Sequence, residues 1–190
     1  MLRFIMMRII HILSNTLICF SLFIAMPVQA YEHNESGLTE IGLSYGTGID
    51  VSKWVQVDAI TSFNLPWGIA DAFPLSTYLD IGLAASEWQN TRHLAYHVST
   101  TAMLRTQNIT TPIGRIFFEA GFGPHLISKP GKTERLGTAF EFNSHLGIGF
   151  LLSKNWLMIL RARHLSNGGV SSPNAGVNLY LWQLHYRFDH

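Results

Sequence analysis

The feature that most constrains this chain is an alternation of apolar and polar side chains with a period of two. In the last segment that shows it, Tyr180, Trp182 and Leu184 occupy every second position. Because successive side chains of a strand point to opposite faces, each such segment has one oily and one polar face. The pattern recurs at residues 40–45, 55–63, 79–85, 94–105, 116–123, 140–150, 156–166 and 180–188. The sequence therefore predicts an all-β fold of about eight strands.

The charges decide which face points inward. The polar faces carry both signs in near balance, in Glu40, Asp58, Asp80, Arg105, Glu119, Glu141, Arg161, Arg163 and Arg187. A Lys or Arg that faces lipid near mid-bilayer costs about 2–4 kcal/mol, whereas opposite charges can pair inside a narrow barrel. Only 13% of the residues are charged, against about 25% in a typical soluble protein. We therefore predict an eight-stranded antiparallel transmembrane β-barrel, and not a soluble barrel with an apolar cavity.

The first 30 residues have the features of a secretory signal peptide. Arg3 and Arg8 precede an apolar run and a small-residue cleavage site that ends at Ala30. We therefore expect a signal peptide over residues 1–30 and the barrel domain over residues 31–190. The alternative is that the apolar run is retained as a membrane anchor.

Composition argues against several kinds of partner. The formal net charge is +1 and the basic residues form no cluster, so we expect no nucleic-acid binding. The only cysteine, Cys19, lies in the predicted signal peptide, and the histidines show no metal-ligand spacing. We therefore expect no metal and no cofactor.

Two further expectations concern the barrel wall and its interior. Aromatic residues near strand ends predict interfacial girdles, formed by Trp54, Trp156, Tyr180 and Phe188. Two histidines on polar faces, His145 and His185, are expected to join an interior network with Glu141 and Arg187.

A polar cluster is predicted on the lipid-facing wall near one end of the barrel. Barrels of this class keep both termini in the periplasm, so the segment that starts at Trp156 runs outward. By parity its lipid-facing set extends to His164 and Ser166, and Asn178 has the same parity at the start of the last segment. All three lie at the level of the outer leaflet. Polar groups on a lipid-facing wall are costly and usually functional.

These residue types suggest ester hydrolysis. His164 and Ser166 project from one face, close enough for the imidazole to take the hydroxyl proton, and Asn178 can hydrogen-bond the other ring nitrogen. This is the arrangement of nucleophile, base and orienter. The glycine-rich backbone at 167–169 is expected to offer free N–H groups to an oxyanion. The alternative is that the polar cluster only contacts lipid headgroups.

The same residues carry a resemblance. Residues 163–169 (Arg-His-Leu-Ser-Asn-Gly-Gly) and 173–178 (Pro-Asn-Ala-Gly-Val-Asn) resemble the signature of the lipid A 3-O-deacylase (PagL) family, His-x-Ser-Asn-(Ala/Gly)-Gly before Pro-Asn-x-Gly. The resemblance implies an outer-membrane barrel that removes the ester-linked acyl chain at position 3 of lipid A. It implies Ser166 as nucleophile, His164 as general base, and Asn167, with Gly168 and Gly169 beside it, at the oxyanion.

The chain departs from the family pattern at Asn178, where the family is usually described with an acid. An amide can orient the imidazole but cannot neutralise the imidazolium, so activity is expected to be reduced. A rival hypothesis is a non-enzymatic barrel, structural or adhesive, that binds lipopolysaccharide. A palmitoyl transferase would need a pocket in the crowded charged interior. The sequence leaves open whether two copies form a homodimer.

Overall fold

The computed structural model describes residues 37–63, 75–89, 94–128 and 135–188, so the predicted signal peptide lies outside the described residues. The alternating segments form antiparallel strands. Within the described ranges nine are present: β1 Leu38–Gly48, β2 Val51–Ser62, β3 Leu75–Trp88, β4 Leu94–Thr106, β5 Ile109–Thr111, β6 Gly114–Ile127, β7 Phe140–Leu151, β8 Trp156–Ser166 and β9 Val177–Arg187. No helix in these ranges is long and apolar enough to cross a membrane.

The sheet closes on itself. Consecutive strands pair from β1 to β4 and from β5 to β9, and the pairings β1–β9 and β4–β6 complete the ring. The short β5 continues β4 along the same partner strand. A one-residue shift between the pairs Arg105–Glu119 and Ile109–Ile116 marks a bulge between the two. Counted with β4 and β5 as one interrupted strand, the described segments form eight barrel strands, which confirms the predicted eight-stranded antiparallel barrel.

Burial follows the predicted parity. Outward-facing Leu43 and Leu83 are each 59% exposed, and Trp182 is 60% exposed. The interleaved polar residues are buried inside the barrel, among them Glu40, Asp58, Asp80, Arg105, Glu119, Arg161, Arg163, Gln183 and His185. An apolar outer wall around a charged interior is what a bilayer requires of a barrel.

Two interior arginines, Arg105 and Arg161, each pair with two carboxylates. Arg105 donates to Glu40 Oε1 at 2.7 Å and to Glu119 Oε2 at 3.0 Å. Arg161 donates to Asp80 Oδ2 at 2.9 Å and through Nε to Glu119 Oε1 at 2.8 Å. A buried charge without a partner would be strongly destabilising, so this network is needed once the charges face inward.

The predicted network forms only in part: His185 and Arg187 meet at Glu40 and not at Glu141, and His145 makes no hydrogen bond among the described residues. His185 Nδ1 donates to Glu40 Oε2 at 3.2 Å, and His145 Nε2 lies 3.8 Å from Glu119 Oε1. Glu141 is the second residue of β7 and lies at the other end of the barrel from Glu40, which is near the start of β1. Parity identified the correct face of the strand, but position along the strand decided which groups meet.

A buried apolar cluster lies in the interior near one end, which we call the upper rim: the end with the β1–β2 turn, residues 135–138 and the loop 167–176. The buried residues that fill it are Val51, Trp54, Trp88, Ala95, Ile127, Leu136, Leu165, Val177, Leu179 and Leu181. The prediction that Trp54 belongs to an interfacial girdle is therefore wrong. Trp54 shares the inward parity of Gln56, and its indole Nε1 donates to Gln56 Oε1 at 3.0 Å.

Candidate active site

The last residues of β8 place two polar side chains on the outer wall at the upper rim. His164 is exposed and Ser166 is half-buried, while Arg163 and Leu165, which alternate with them along the strand, point inward and are buried. This alternation is the period of two that any strand imposes. The structure therefore brings His164 and Ser166 to the lipid-facing side, as the sequence pattern predicts.

Asn178 meets His164 across the β8–β9 ladder. The two residues are direct cross-strand partners, and His164 Nδ1 lies 2.7 Å from Asn178 Oδ1. An amide oxygen can only accept, so Nδ1 carries the proton in this contact. Nε2 of the neutral ring is then left with its lone pair, which is the form a general base requires.

Ser166 lies beyond the imidazole on the same face. It pairs with Phe142 of β7, and His164 pairs with Ser144 of the same strand. Among the described residues, no hydrogen bond joins the Ser166 hydroxyl to the imidazole. Contacts between nucleophile and base are often long in substrate-free sites and tighten in the complex. The structure thus places the two residues on one face without an established contact between them.

A tight turn follows Ser166. Val170 N donates to Asn167 O at 3.2 Å, and Gly168 and Gly169 have φ values of +66° and +83°. Positive φ at both central positions is the type I′ geometry that glycine adopts without steric cost. The Gly-Gly pair is therefore explained by the sharp reversal of the chain beside Ser166.

The predicted free N–H groups are only partly free. The Asn167 N–H donates to Asn174 Oδ1 at 2.9 Å, and the Gly169 N–H donates to Asn167 Oδ1 at 3.0 Å. The Asn167 side-chain amide is also engaged, since it donates to Ser171 O at 3.0 Å. Within the described residues, the Gly168 N–H makes no hydrogen bond. The buried Asn167 therefore shapes the loop, and its own N–H groups are occupied.

Asn174 belongs to the Pro-Asn-x-Gly part of the motif, and the sequence pattern predicts no role for it. Its side-chain oxygen accepts from Asn167 N–H, so its NH₂ group is the part left to donate elsewhere. Asn174 is exposed, and its backbone pairs with Leu136 in an isolated bridge. The spacing Pro-Asn-x-Gly is the signal that could have singled it out.

Gly176 packs directly against the imidazole. A Cβ at this position would lie 2.5 Å from Cε1 and 3.0 Å from Nε2 of His164, and the residue has a φ of +69°. Only glycine satisfies both the backbone conformation and the close approach. Gly176 thus limits how far the imidazole can swing toward the loop.

Two other histidines lie near each other in the interior. His97 Nδ1 is 3.0 Å from His125 Nε2, and Ser86 Oγ is 2.7 Å from His97 Nε2. One ring nitrogen of each histidine faces the other ring, so the two do not point at a shared metal position. In the part of the chain that the structure describes, no group of three or more His, Cys, Asp or Glu side chains is arranged to hold a metal ion.

Comparison with known proteins adds to this geometry. The family model described as lipid A 3-O-deacylase (PagL) matches residues 54–187. The chain belongs to this family. The match includes all the PagL-type motif residues from His164 to Asn178, so the candidate site lies inside the region that defines the family.

One curated relative resembles the chain in sequence, and two solved structures resemble it in fold. The lipid A deacylase PagL of Bordetella bronchiseptica is 37% identical over 75 residues, which are 39% of this chain and 42% of the relative. The chain thus aligns with less than half the length of that relative. The crystal structure of the outer membrane enzyme PagL superposes with a TM-score of 0.67 at 20% identity, covering 78% of this chain and 99% of that one.

A designed transmembrane β-barrel superposes with a TM-score of 0.51 at 11% identity, covering 81% of this chain and 98% of the design. At such identities both structural matches establish the fold alone. The strands of this PagL-family chain and the superpositions therefore establish its fold, whereas its reaction has to be inferred from the residues of the candidate site.

Proposed function

We propose that the protein is an outer-membrane serine esterase that hydrolyses the ester-linked acyl chain at position 3 of lipid A. Membership of the lipid A 3-O-deacylase family and the name of the curated relative support the substrate class. The apolar outer wall supports the location, because its exposed side chains require lipid around them.

The observation that carries the proposal is the His164–Asn178 hydrogen bond on the outward face of the barrel, beside Ser166. This contact fixes the protonated nitrogen of the imidazole and leaves Nε2 available to Ser166. In the Ser-His-Asp arrangement the third group has the same orienting task. Asn178 performs it without a negative charge, so it orients the ring but does little to stabilise the imidazolium.

The reaction follows from these roles. Ser166 Oγ attacks the ester carbonyl carbon while its proton passes to His164 Nε2, and the carbonyl electrons move onto oxygen. The tetrahedral intermediate then expels the sugar oxygen, which takes the proton from His164, and the acyl chain stays on Ser166. A water molecule gives a proton to His164 and attacks the acyl-serine carbonyl; the second tetrahedral intermediate expels Ser166 Oγ, which takes the proton back from His164, and the fatty acid is released.

Stabilisation of the oxyanion is assigned to donors that are not otherwise engaged. The Gly168 N–H and the side-chain NH₂ of Asn174 are the candidates, since Asn167 and Gly169 donate within the loop. Loss of one such donor typically reduces kcat by about 10²–10³-fold. This assignment keeps Gly168 from the expected oxyanion residues and puts Asn174 in place of Asn167 and Gly169.

The substrate is expected to approach from the membrane rather than through the barrel. Leu165, Val177 and Leu179 fill the interior directly behind the site, so a lipid acyl chain finds its path along the outer wall. We propose that the active site faces the outer leaflet, where lipid A lies. An internal acyl pocket of the kind that a palmitoyl transferase needs is not supported by this packing.

The test uses the detergent-purified barrel and defined lipid A, with the product identified by mass spectrometry. Loss of one 3-position acyl chain, absent in folded Ser166→Ala and His164→Ala variants, would support the proposal. Intact lipid A that stays bound to the protein would instead favour the non-enzymatic lipopolysaccharide-binding barrel.

A further inference from the structure

We propose that Arg135 and Asp50 are positioning residues for the site, because together they hold the backbone segments on both sides of the His164 imidazole. Neither lies on the strands that carry His164 and Asn178. The inference rests on the proposed function of the site, and it assigns a task to an ion pair that the reaction itself does not use.

The first contact runs from Arg135 to Gly176. Arg135 Nε donates to Asp50 Oδ2 in a salt bridge whose side chains are about one-third exposed. The backbone carbonyl of the same Arg135 accepts the Gly176 N–H at 3.2 Å. The ion pair therefore fixes the carbonyl that anchors the end of the loop 167–176.

Gly176 transmits this position to the imidazole. Its Cα stands so close to His164 that a Cβ would lie 2.5 Å from Cε1. A shift of Gly176 by a fraction of an ångström toward or away from the ring therefore changes the space in which the imidazole rests. The position of Arg135 is thus coupled to the direction of His164 Nε2.

The second contact runs from the Asp50 turn to Asn178. Ile49 N donates to Asn178 O at 3.2 Å, which ties the β1–β2 turn to the start of β9. Asp50 itself has a φ of +63°, a conformation that Asp tolerates better than most residues with a side chain. The turn thus holds the backbone of the residue whose amide orients the imidazole.

The ion pair joins these two anchors across the upper rim. One partner holds Gly176, on the Cε1 and Nε2 side of the ring, and the other belongs to the turn that holds Asn178, on the Nδ1 side. The adjacent Leu136 pairs with Asn174 and is buried in the apolar cluster. The segment stays attached when the ion pair is lost, so the expected consequence is a small displacement rather than unfolding.

The energetics separate positioning from stability. A partly exposed ion pair contributes little to the free energy of unfolding, whereas a displacement of about 1 Å at a reacting group can reduce the rate by about 10²-fold. Loss of the pair should therefore lower kcat clearly while it leaves the melting temperature nearly unchanged.

The experiment compares Arg135→Gln with the wild type in full-length barrel purified in detergent. We expect kcat for lipid A deacylation to fall by about tenfold, with KM within about twofold and an unchanged melting temperature. Arg135→Lys, which keeps the cation beside Asp50, should recover most of the rate. Lys53→Gln is the matched control, because Lys53 forms a similar exposed ion pair with Glu87, at 3.5 Å, on the neighbouring strands β2 and β3 and away from His164.

A spectroscopic arm keeps the test independent of the proposed reaction. The ¹⁵N chemical shifts of the His164 ring and the hydrogen exchange of the Gly176 amide report on the two anchors directly. In Arg135→Gln we expect faster exchange at Gly176 and a changed imidazole signal, with neither change in Lys53→Gln. If wild-type protein released no fatty acid, the proposed function would fail while this arm still decided the positioning role.

Unchanged exchange and ring shifts in Arg135→Gln would overturn the positioning role. A loss of kcat accompanied by a loss of unfolding free energy of the same size as the rise in activation free energy would also overturn it, because the pair would then be merely structural. An equal effect of Lys53→Gln would show that any rim charge matters and would exclude a specific role for Arg135 and Asp50.

Discussion

Gly176→Ala should nearly abolish the proposed activity while leaving the barrel folded. The new Cβ would lie 2.5 Å from His164 Cε1 and 3.0 Å from Nε2. To restore an ordinary contact of 3.4 Å or more, the imidazole must retreat by about 1 Å, a displacement that can cost about 10²-fold in rate. A hundredfold loss corresponds to about 2.7 kcal/mol in the activation free energy.

The same substitution also has a stability cost, which must be separated from the loss of rate. The φ of +69° at Gly176 penalises a side chain by about 1–2 kcal/mol. Gly114→Ala provides the matched control: its φ is +124°, and nothing lies within 4 Å of the added Cβ. Gly114 begins β6 at the barrel end opposite the site.

The assay measures kcat by mass spectrometry of the deacylated lipid A, together with a thermal melt of each variant. We expect both alanine variants to lose stability through backbone strain and only Gly176→Ala to lose about two orders of magnitude in kcat. A folded Gly176→Ala protein with wild-type turnover would refute the inference that this glycine sets the position of the imidazole.

Three further predictions test the site, the interior and the wall. Asn178→Glu should raise kcat about five- to tenfold, because a charged acceptor strengthens the hydrogen bond to the imidazole by about 1 kcal/mol; a lower rate in steady-state kinetics would contradict its orienting role. Arg161→Met leaves Asp80 without its buried partner and leaves Glu119 with Arg105 alone, so it should cost about 3–5 kcal/mol in urea unfolding, and a neutral result would mean that the interior charges are not coupled. Leu43→Arg on the outer wall should cost about 2–4 kcal/mol in lipid vesicles, and a variant as stable as Leu43→Ile would argue against lipid contact there.

The strand faces could be read from the sequence because side chains alternate on every strand, whatever the rest of the fold does. That alternation put His164 outward and Arg163 inward, and the structure has both. The same rule applied to Trp54 gives the interior, and the girdle prediction failed because it followed residue type instead of parity. The apolar filling of the upper rim was also missed, since the charged middle of the barrel was taken to represent the whole interior.

Contacts between distant loops were beyond the sequence pattern. The pairing of Asp50 with Arg135 joins residues far apart in the chain, and the occupied N–H groups of Asn167 and Gly169 depend on how the loop 167–176 folds back on itself. The alternation of side chains predicts neither contact, because it describes the two faces of one strand at a time.

The sequence by itself determined that the chain forms strands with an oily and a charged face, that these close into a barrel, and that one His-x-Ser pair lies on the oily side. The tertiary structure alone decided that Asn178 meets the imidazole, that Gly176 confines it, and that an ion pair from two other loops holds both. The physical reason is that the orientation of a side chain is a local property of its strand, whereas its neighbours depend on the register between strands and on the closure of the barrel.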